Sequence, residues 1–328
     1  MNYLMLSVGR RGELLKNLRK TIDSKSKIIA TDMSPYAPAL YFADKQYIVP
    51  RIDHPDYMSK ILEICKKEKI DVVTTLIDPE VEILSSNREK FAELGVEVLA
   101  PYLETARICF DKYLLFKYLS NNGIATVKTW GTITEFEEAY RLKEVEFPVF
   151  VKPRTGSGSV GAKKINSYIN LKEAIEEDSS LIIQEFMDCI DLDADVYIDT
   201  ISHKAVAAFS KKKMETRIGG ASKTISFIDE KLFSFISKIV KVLKFNGPVD
   251  MDFFYRDGKY YLSEINPRFG GAYLHAYGAG IDFFKLIENN LHGNANPVNL
   301  GNYDEGVVMM MYDSVVIKKE NELVMEQW

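Results

Sequence analysis

YYLSEINPRFGG, residues 260–271, places a carboxylate (Glu264), a carboxamide (Asn266) and a guanidinium (Arg268) at alternate positions behind an apolar run. Residues two apart on an extended strand share a face. These three groups therefore point one way until Pro267 and the Gly270-Gly271 pair end the regular backbone. Two readings fit the stretch alone: an edge strand with a solvated face, or a platform whose oxygen ligands hold Mg²⁺ while the guanidinium meets phosphate oxygens.

The preceding residues favour the platform. GPVDMDFFYRDGKYYLSEIN (247–266) reads as a β-hairpin turned at Arg256-Asp257-Gly258. Asp250 and Asp252 share a face of its first strand, and pairing across the turn brings them towards Glu264 and Asn266. Facing carboxylates repel unless a cation lies between them, and the choice between Asp250 and Asp252 as the further metal ligand stays open.

Further upstream, FPVFVKP (147–153) ends an apolar strand in Lys152 and opens the loop RTGSGSVGAKK (154–164). Its glycines and serines allow backbone N–H groups to converge on phosphate oxygens. The run Gly156-Ser157-Gly158-Ser159-Val160-Gly161 matches GxGxxG literally, but AKKI after it reads as a strand and not a helix, so the dinucleotide context is missing. A glycine-rich loop between antiparallel strands is instead a lid over a nucleotide. SLIIQEFMD (180–188) reads as a hinge strand offering backbone groups from Glu185 to Met187 to an adenine edge. DLDADVYID follows with Asp191, Asp193 and Asp195 on one face, the latter two expected to be solvated. METRIGGASKT (214–224) reads as a polar loop in which Arg217 could bind a carboxylate or phosphate. Gly270 and Gly271 would let a substrate acid approach the backbone beside it.

Residues 1–101 alternate apolar strands (YLMLSV, KIIATD, DVVTTL, VEVLA) with amphipathic helices, which implies βαβ units and a parallel sheet. The first turn, GRRG, lacks the dinucleotide fingerprint, although Asp32 ends the second strand where a ribose-binding acid would stand. Asp78, Pro79 and Glu80 follow a strand end, where a cleft is expected. Residues 102–122 read as one helix, within which Lys112 would normally be solvated, and GVVMMMYDSVVI as a final strand with its methionine triplet in the core.

The chain has 328 residues with 42 basic and 47 acidic side chains, a net charge of −5, and no basic cluster interleaved with aromatics. Nucleic acid is not an expected partner. KKEK (66–69) and KKK (211–213) are expected on a helix face and at a strand end. Three scattered cysteines, each expected in the core, form no disulfide framework, and four histidines lack metal spacing. No stretch has the length of a membrane span, and a cytoplasmic location is expected.

The order Lys112, FPVFVKP, glycine-rich loop, IIQEF, Asp191, PVDMDFF, SEINPRFGG resembles the ATP-grasp superfamily, following a pre-ATP-grasp domain. Within it the chain is similar to stand-alone proteins labelled carbamoyl-phosphate-synthase large-subunit-like. The resemblance implies an α/β protein, α+β in its catalytic part, with a parallel-sheet domain at 1–101, a small lobe with the lid at 102–183 and a large lobe at 184–328. It implies that Lys112, Lys152 and the lid, including Gly156, Ser157, Gly158 and Ser159, contact ATP phosphates. Gln184, Glu185, Phe186 and Met187 would hold adenine, and Asp191, where a glutamate is usual, the ribose. Glu264 and Asn266, with Asp252 or Asp250, would hold Mg²⁺ or Mn²⁺, and Arg268 would stabilise an acyl phosphate. The activity implied is ATP-dependent joining of a small carboxylic acid to an amine with release of ADP and phosphate. The alternatives are a carbamoyl-phosphate-synthase-like subunit and a non-catalytic ATP-binding module. The family often dimerises through its first domain.

Overall fold

The structure is a computed structural model and describes residues 1–156, 158, 161–217 and 220–325. Five strands, β1 (Asn2–Leu6), β2 (Lys27–Asp32), β3 (Lys45–Ile48), β4 (Val72–Thr75) and β5 (Glu97–Val98), form a parallel sheet in the order β3-β2-β1-β4-β5. The strands are buried on both sides, as continuous apolar runs require. Their carboxyl ends carry the turn at residues 9–11 and the start of the Asp78–Ser86 helix.

A four-stranded antiparallel sheet follows: β6 (Thr129–Trp130), β7 (Val149–Pro153), β8 (Lys163–Ile165) and β9 (Leu181–Glu185), in the order β6-β9-β7-β8. The glycine-rich loop joins β7 to β8, antiparallel neighbours. A six-stranded antiparallel sheet completes the fold: β10 (Ile190–Ile198), β11 (Ala205–Arg217), β12 (Gly220–Phe227), β13 (Gly247–Arg256), β14 (Lys259–Asn266) and β15 (Val308–Met310), in the order β14-β13-β10-β11-β12-β15. The β13–β14 turn has Asp257 at φ 52° and Gly258 at φ 77°. Two left-handed residues give the backbone twist that a tight hairpin needs.

Phe269 ties this sheet to the first one. Fully buried, it belongs to a core shared by Tyr3, Leu14, Tyr197, Phe209, Tyr273, Phe283 and Phe284. Burial of such a ring is worth about 1.5–3 kcal/mol, and it fixes the turn that carries Arg268 between the two domains.

Several sequence expectations fail for local reasons. Residues 102–122 form two helices, Leu103–Phe110 and Lys112–Asn121, because the Asp111 side chain accepts hydrogen bonds from the backbone N–H groups of Tyr113 (3.1 Å) and Leu114 (2.9 Å) and starts a second helix. The segment after Ile77 likewise breaks at Asn87, into Asp78–Ser86 and Arg88–Glu93. METRIGGASKT is not a loop: β11 runs to Arg217, and β12 starts at Gly220, paired with it. The final strand shrinks to Val308–Met310 on the sheet edge, and the methionine triplet is not core: Met309 is half-buried, Met311 is exposed and Met310 is 66% exposed.

Candidate active site

The carboxyl edge of the parallel sheet, the lid and the faces of β10, β11, β13 and β14 enclose a cleft of about 1200 Å³. Strand register builds its floor. Asp195 stands opposite Asp250 and Asp193 opposite Asp252 across β10–β13. Across β13–β14, Asp250 faces Asn266 and Asp252 faces Glu264, with a bulge after Asp252. Such a ladder of like charges is destabilising unless cations intervene.

Two lysines from the KKK run supply them. Lys211 is 0% exposed and bridges Asp193 (3.1 Å) and Asp195. Burial alone would lower its pKa, but Asp193, Asp195 and Asp250 outweigh that and raise it. Lys213 binds Asp191 (3.0 Å) and Asp252. Thus Asp193 and Asp195 are interior residues and not solvated, and Lys211 is not at a strand end. Spacing shows that alternate residues share a face; it does not show that the face is covered.

Arg268 is held from the other domain. Its Nε lies 2.8 Å from Asp78 Oδ1, and its Nη2 donates to Asp78 Oδ2 at 2.9 Å. Nη1 donates to the Phe269 carbonyl at 3.0 Å and to Asp250 Oδ2 at 3.4 Å. The Nε–Oδ1 approach is an ion contact without a hydrogen bond, so the guanidinium is oriented by the Nη2 bond to Asp78 and the Nη1 bonds on its other side. Asp250 keeps one buried oxygen, Oδ1, without a hydrogen-bond partner. Burial, then Asp193 and Asp252, drive its pKa well up.

Lys112 begins its helix because Asp111 caps it, and it is 7% exposed, not solvated. Its backbone N–H donates to the Arg154 carbonyl (3.0 Å) and its Nζ to the Gly156 carbonyl (2.5 Å). Lys112 and Lys152 approach Glu264 at 3.9 and 4.0 Å. Burial lowers the pKa of Lys152, with Glu264 opposing. Gly156 and Gly158 line the cleft; Ser157 and Ser159 lie outside the described residues.

At the end away from Arg268, Phe150, Gln184, Glu185, Phe186, Met187 and Phe254 form an apolar-walled slot. The Gln184 side chain turns inward, donating to Thr129 Oγ1 at 2.8 Å. Asp191 lines the cleft beside Lys213, its pKa raised by burial. Cys65 and Cys109 are core residues, whereas Cys189 is half-buried and lines the cleft. Arg217 and Gly271 also line the cleft, with the Arg217 side chain 60% exposed. Gly270 is required sterically: a Cβ there would collide with Asp195 and lie 2.9 Å from Asp250 Oδ1. Asp32 accepts hydrogen bonds from the backbone of Gly9 (2.8 Å) and Ser34 (3.0 Å), a turn-closing role and not one of holding a ribose.

Among the described residues no three Asp, Glu, His or Cys side chains converge as a ready-made metal cage. Mg²⁺ does not need one: it takes one or two carboxylates and completes its octahedron with phosphate oxygens and water. Asp252 and Glu264 opposite each other, with Asn266 beside them on the same cleft face, fit that demand.

A parallel α/β domain joined to two antiparallel lobes that enclose such a cleft defines a nucleotide-dependent enzyme architecture. Residues 109–272 match the ATP-grasp domain family, and residues 3–99 the PylC-like N-terminal domain. The chain belongs to the ATP-grasp superfamily. It is similar to a carbamoyl-phosphate synthase of Methanobrevibacter smithii, 25% identical over 284 residues, covering 81% of this chain and 74% of the relative. D-alanine–D-alanine ligase A of Bacillus cereus is 26% identical over 270 residues, covering 74% and 88%. Among solved structures, N5-carboxyaminoimidazole synthetase from Staphylococcus aureus complexed with ADP superposes with a TM-score of 0.73 at 18% identity, covering 91% of this chain and 79% of that one. The biotin carboxylase domain dimer of Hydrogenobacter thermophilus 2-oxoglutarate carboxylase, in complex with MgADP and bicarbonate, gives 0.73 at 17% identity over 93% and 73%.

Sequence reasoning missed Arg11, Lys211 and Lys213 and left Asp78 without a role. Three consecutive lysines on a strand whose paired neighbour alternates aspartates was the available signal.

Proposed function

We propose that the protein is an ATP-dependent carboxylate–amine ligase that works through an acyl phosphate and releases ADP and phosphate. The observation that carries this reading is the convergence of Lys112, Lys152 and Arg268 on the Asp252–Glu264–Asn266 face of one cleft. The names of the relatives, a D-alanine–D-alanine ligase and a carbamoyl-phosphate synthase, support it.

The adenine would lie in the slot between Phe150 and Phe254, against the chain at Glu185–Met187, with Asp191 near the ribose. Lys112 and Lys152 bind phosphate oxygens, and the lid residues, Ser157 and Ser159 among them, close over them and exclude water. Mg²⁺, when bound by Asp252, Glu264 and Asn266, neutralises phosphate oxygens. Asp252 is preferred to Asp250 because Asp250 is turned to Arg268 and pushed towards its neutral form. The substrate carboxylate attacks the γ-phosphorus, the bond to the β–γ bridging oxygen breaks, and ADP leaves. Arg268 binds the charge that gathers on the transferring group. The neutral amine nitrogen then attacks the acyl carbon, the C–O bond to phosphate breaks, and the departing phosphate takes the proton that the nitrogen loses. Arg217, Gly270 and Gly271 line the acid's pocket.

The three-part division proposed at 1–101, 102–183 and 184–328 is supported by the three sheets in number, with the second boundary moved past Glu185 because β9 (Leu181–Glu185) pairs within the four-stranded sheet. Homodimerisation through the first domain and a cytoplasmic location complete the reading; the dimer in the 2-oxoglutarate carboxylase structure supports dimerisation as such. The test is ADP release with mass detection of products across a panel of acids and amines. Turnover that needs both an acid and an amine is expected. Turnover driven by bicarbonate would replace this reading with the carbamoyl-phosphate one, and nucleotide binding without turnover would overturn both.

A further inference from the structure

Arg11 enters the cleft from the first glycine turn of the N-terminal domain, beside Arg268. Its Nη2 donates to the Gly270 carbonyl at 2.6 Å. A guanidinium has five N–H donors, and this contact engages one nitrogen.

The charge inventory of the cleft singles this residue out. Each carboxylate lining the cleft, from Asp78 to Glu264, has a lysine or arginine nitrogen within 4.0 Å. Each lining cation apart from Arg11 has a carboxylate within the same distance; even exposed Arg217 has Glu215 at 3.8 Å. Among the described cations that line the cleft Arg11 alone lacks such a partner. A cation set into a domain interface beside a second guanidinium is unfavourable without a counter-anion. Burial and then Arg268 lower its pKa to about 10, opposed by Asp250, Asp195 and Asp78, none of which comes within ion-pair distance of it, so it is still charged at neutral pH.

The anion is not the transferring phosphoryl group, whose oxygens Lys112, Lys152 and Arg268 already serve. Arg268, with both edges of its fork on Asp78, the Phe269 carbonyl and Asp250, has little left for a second substrate group, whereas Arg11 has donors to spare. An ammonium on the acid would meet the reverse situation: every lining carboxylate is matched to a protein cation, or to Mg²⁺ once nucleotide binds.

Resting on the ligase reading, we propose that Arg11 binds a second anionic group of the acid substrate, remote from the carboxylate that is phosphorylated. The acid is then a dicarboxylate or similarly doubly anionic molecule, and not one bearing a free ammonium. Arg11 is in this account a specificity-determining residue donated by the N-terminal domain.

Probes of equal carbon number test it. Succinate, butyrate and 4-aminobutyrate share a four-carbon acid chain whose far end is an anionic carboxylate, a neutral methyl or a cationic aminomethyl group, and glutarate, valerate and 5-aminovalerate repeat the series one carbon longer. Calorimetric titration with Mg²⁺ and AMP-PNP present is expected to show the dicarboxylate of at least one series binding at least about tenfold tighter than its neutral analogue, the gain of one charge-assisted contact. The ammonium analogue should bind weakest. Arg11→Met should bring the dicarboxylate to within about twofold of the neutral acid, and Arg11→Lys should restore part of the difference. Flat or inverted order in both series, binding by no probe, or an undiminished preference in Arg11→Met overturns the proposal. Melting temperature and AMP-PNP affinity establish that the variants are folded. Failure of the wild type to bind AMP-PNP with Mg²⁺ sinks the ligase reading instead, and the same titrations without nucleotide still judge Arg11.

Discussion

The inner acids Asp193, Asp195 and Asp250 and the outer group Asp252, Glu264 and Asn266 occupy neighbouring positions on the same strands, yet they are neutralised differently. The inner group is almost wholly buried, with Asp193 and Asp250 only touching the cleft wall, and Lys211, with Arg268 at Asp250, serves it permanently. The outer group faces the cleft, where Lys213 reaches Asp252 and two lysines stand 3.9 and 4.0 Å from Glu264. A cation supplied by the protein makes a structural element. A site whose lysines can transfer to phosphate oxygens makes a place for a metal–nucleotide complex. The difference lies in which charges remain exchangeable, not in the number of acids.

The largest expected effect breaks the outer group. Glu264→Gln should lower turnover by about 10²–10³-fold, the loss typical of one electrostatic contact to a reacting centre, with little change in melting temperature. Turnover within a few-fold of wild type would remove Glu264 from the site. Breaking the inner group should act on stability instead. Lys211→Met strands buried carboxylates and should cost about 3–5 kcal/mol in urea denaturation, partly recovered by adding Asp195→Asn. A stable Lys211→Met protein would show that the inner acids are held neutral by protons and not by lysine.

Asp78 tests the boundary between the two groups, since it positions Arg268 from the other domain. Asp78→Asn should reduce kcat by about tenfold to a hundredfold through misplacement of the guanidinium, leaving ATP affinity unchanged. A change in nucleotide affinity with kcat preserved would assign Asp78 a different role.

A third way to bury a carboxyl sharpens the comparison. Glu80 is fully buried against Tyr57 and Thr75, and burial raises its pKa to about 8. From its ordinary 4.5 up to about 8, the folded chain keeps a proton that the unfolded chain has lost. Stability should therefore fall as pH rises through that window, by at most about 1.4 kcal/mol per pH unit. The slope should flatten in Glu80→Gln, as urea midpoints at several pH values would show; an unchanged slope would assign it to other groups.

The outer group was legible in the sequence because it depends on local facts: strand periodicity, a two-residue turn and a proline-glycine stop. Glu264, Asn266 and Arg268 could be placed on one face from twelve residues. The inner group was not, because burial of Asp193, Asp195 and Lys211 depends on what covers β10 and β11, which is set by helices distant in sequence. Lys112 was misjudged for a similar reason. The Asp111 cap that ends one helix and begins the next is a single side chain choosing between two backbone paths. Arg11 and Asp78 were obscured by domain docking, which brings the parallel sheet's carboxyl edge onto the Phe269 turn.

Mn²⁺ binding in the presence of AMP-PNP, followed by electron paramagnetic resonance, tests the distinction most directly. Glu264→Gln should weaken Mn²⁺ binding at least about tenfold while Asp195→Asn stays within about twofold of wild type. Equal losses in the two variants, or full binding by Glu264→Gln, would contradict the assignment of the metal–nucleotide site to the outer acids.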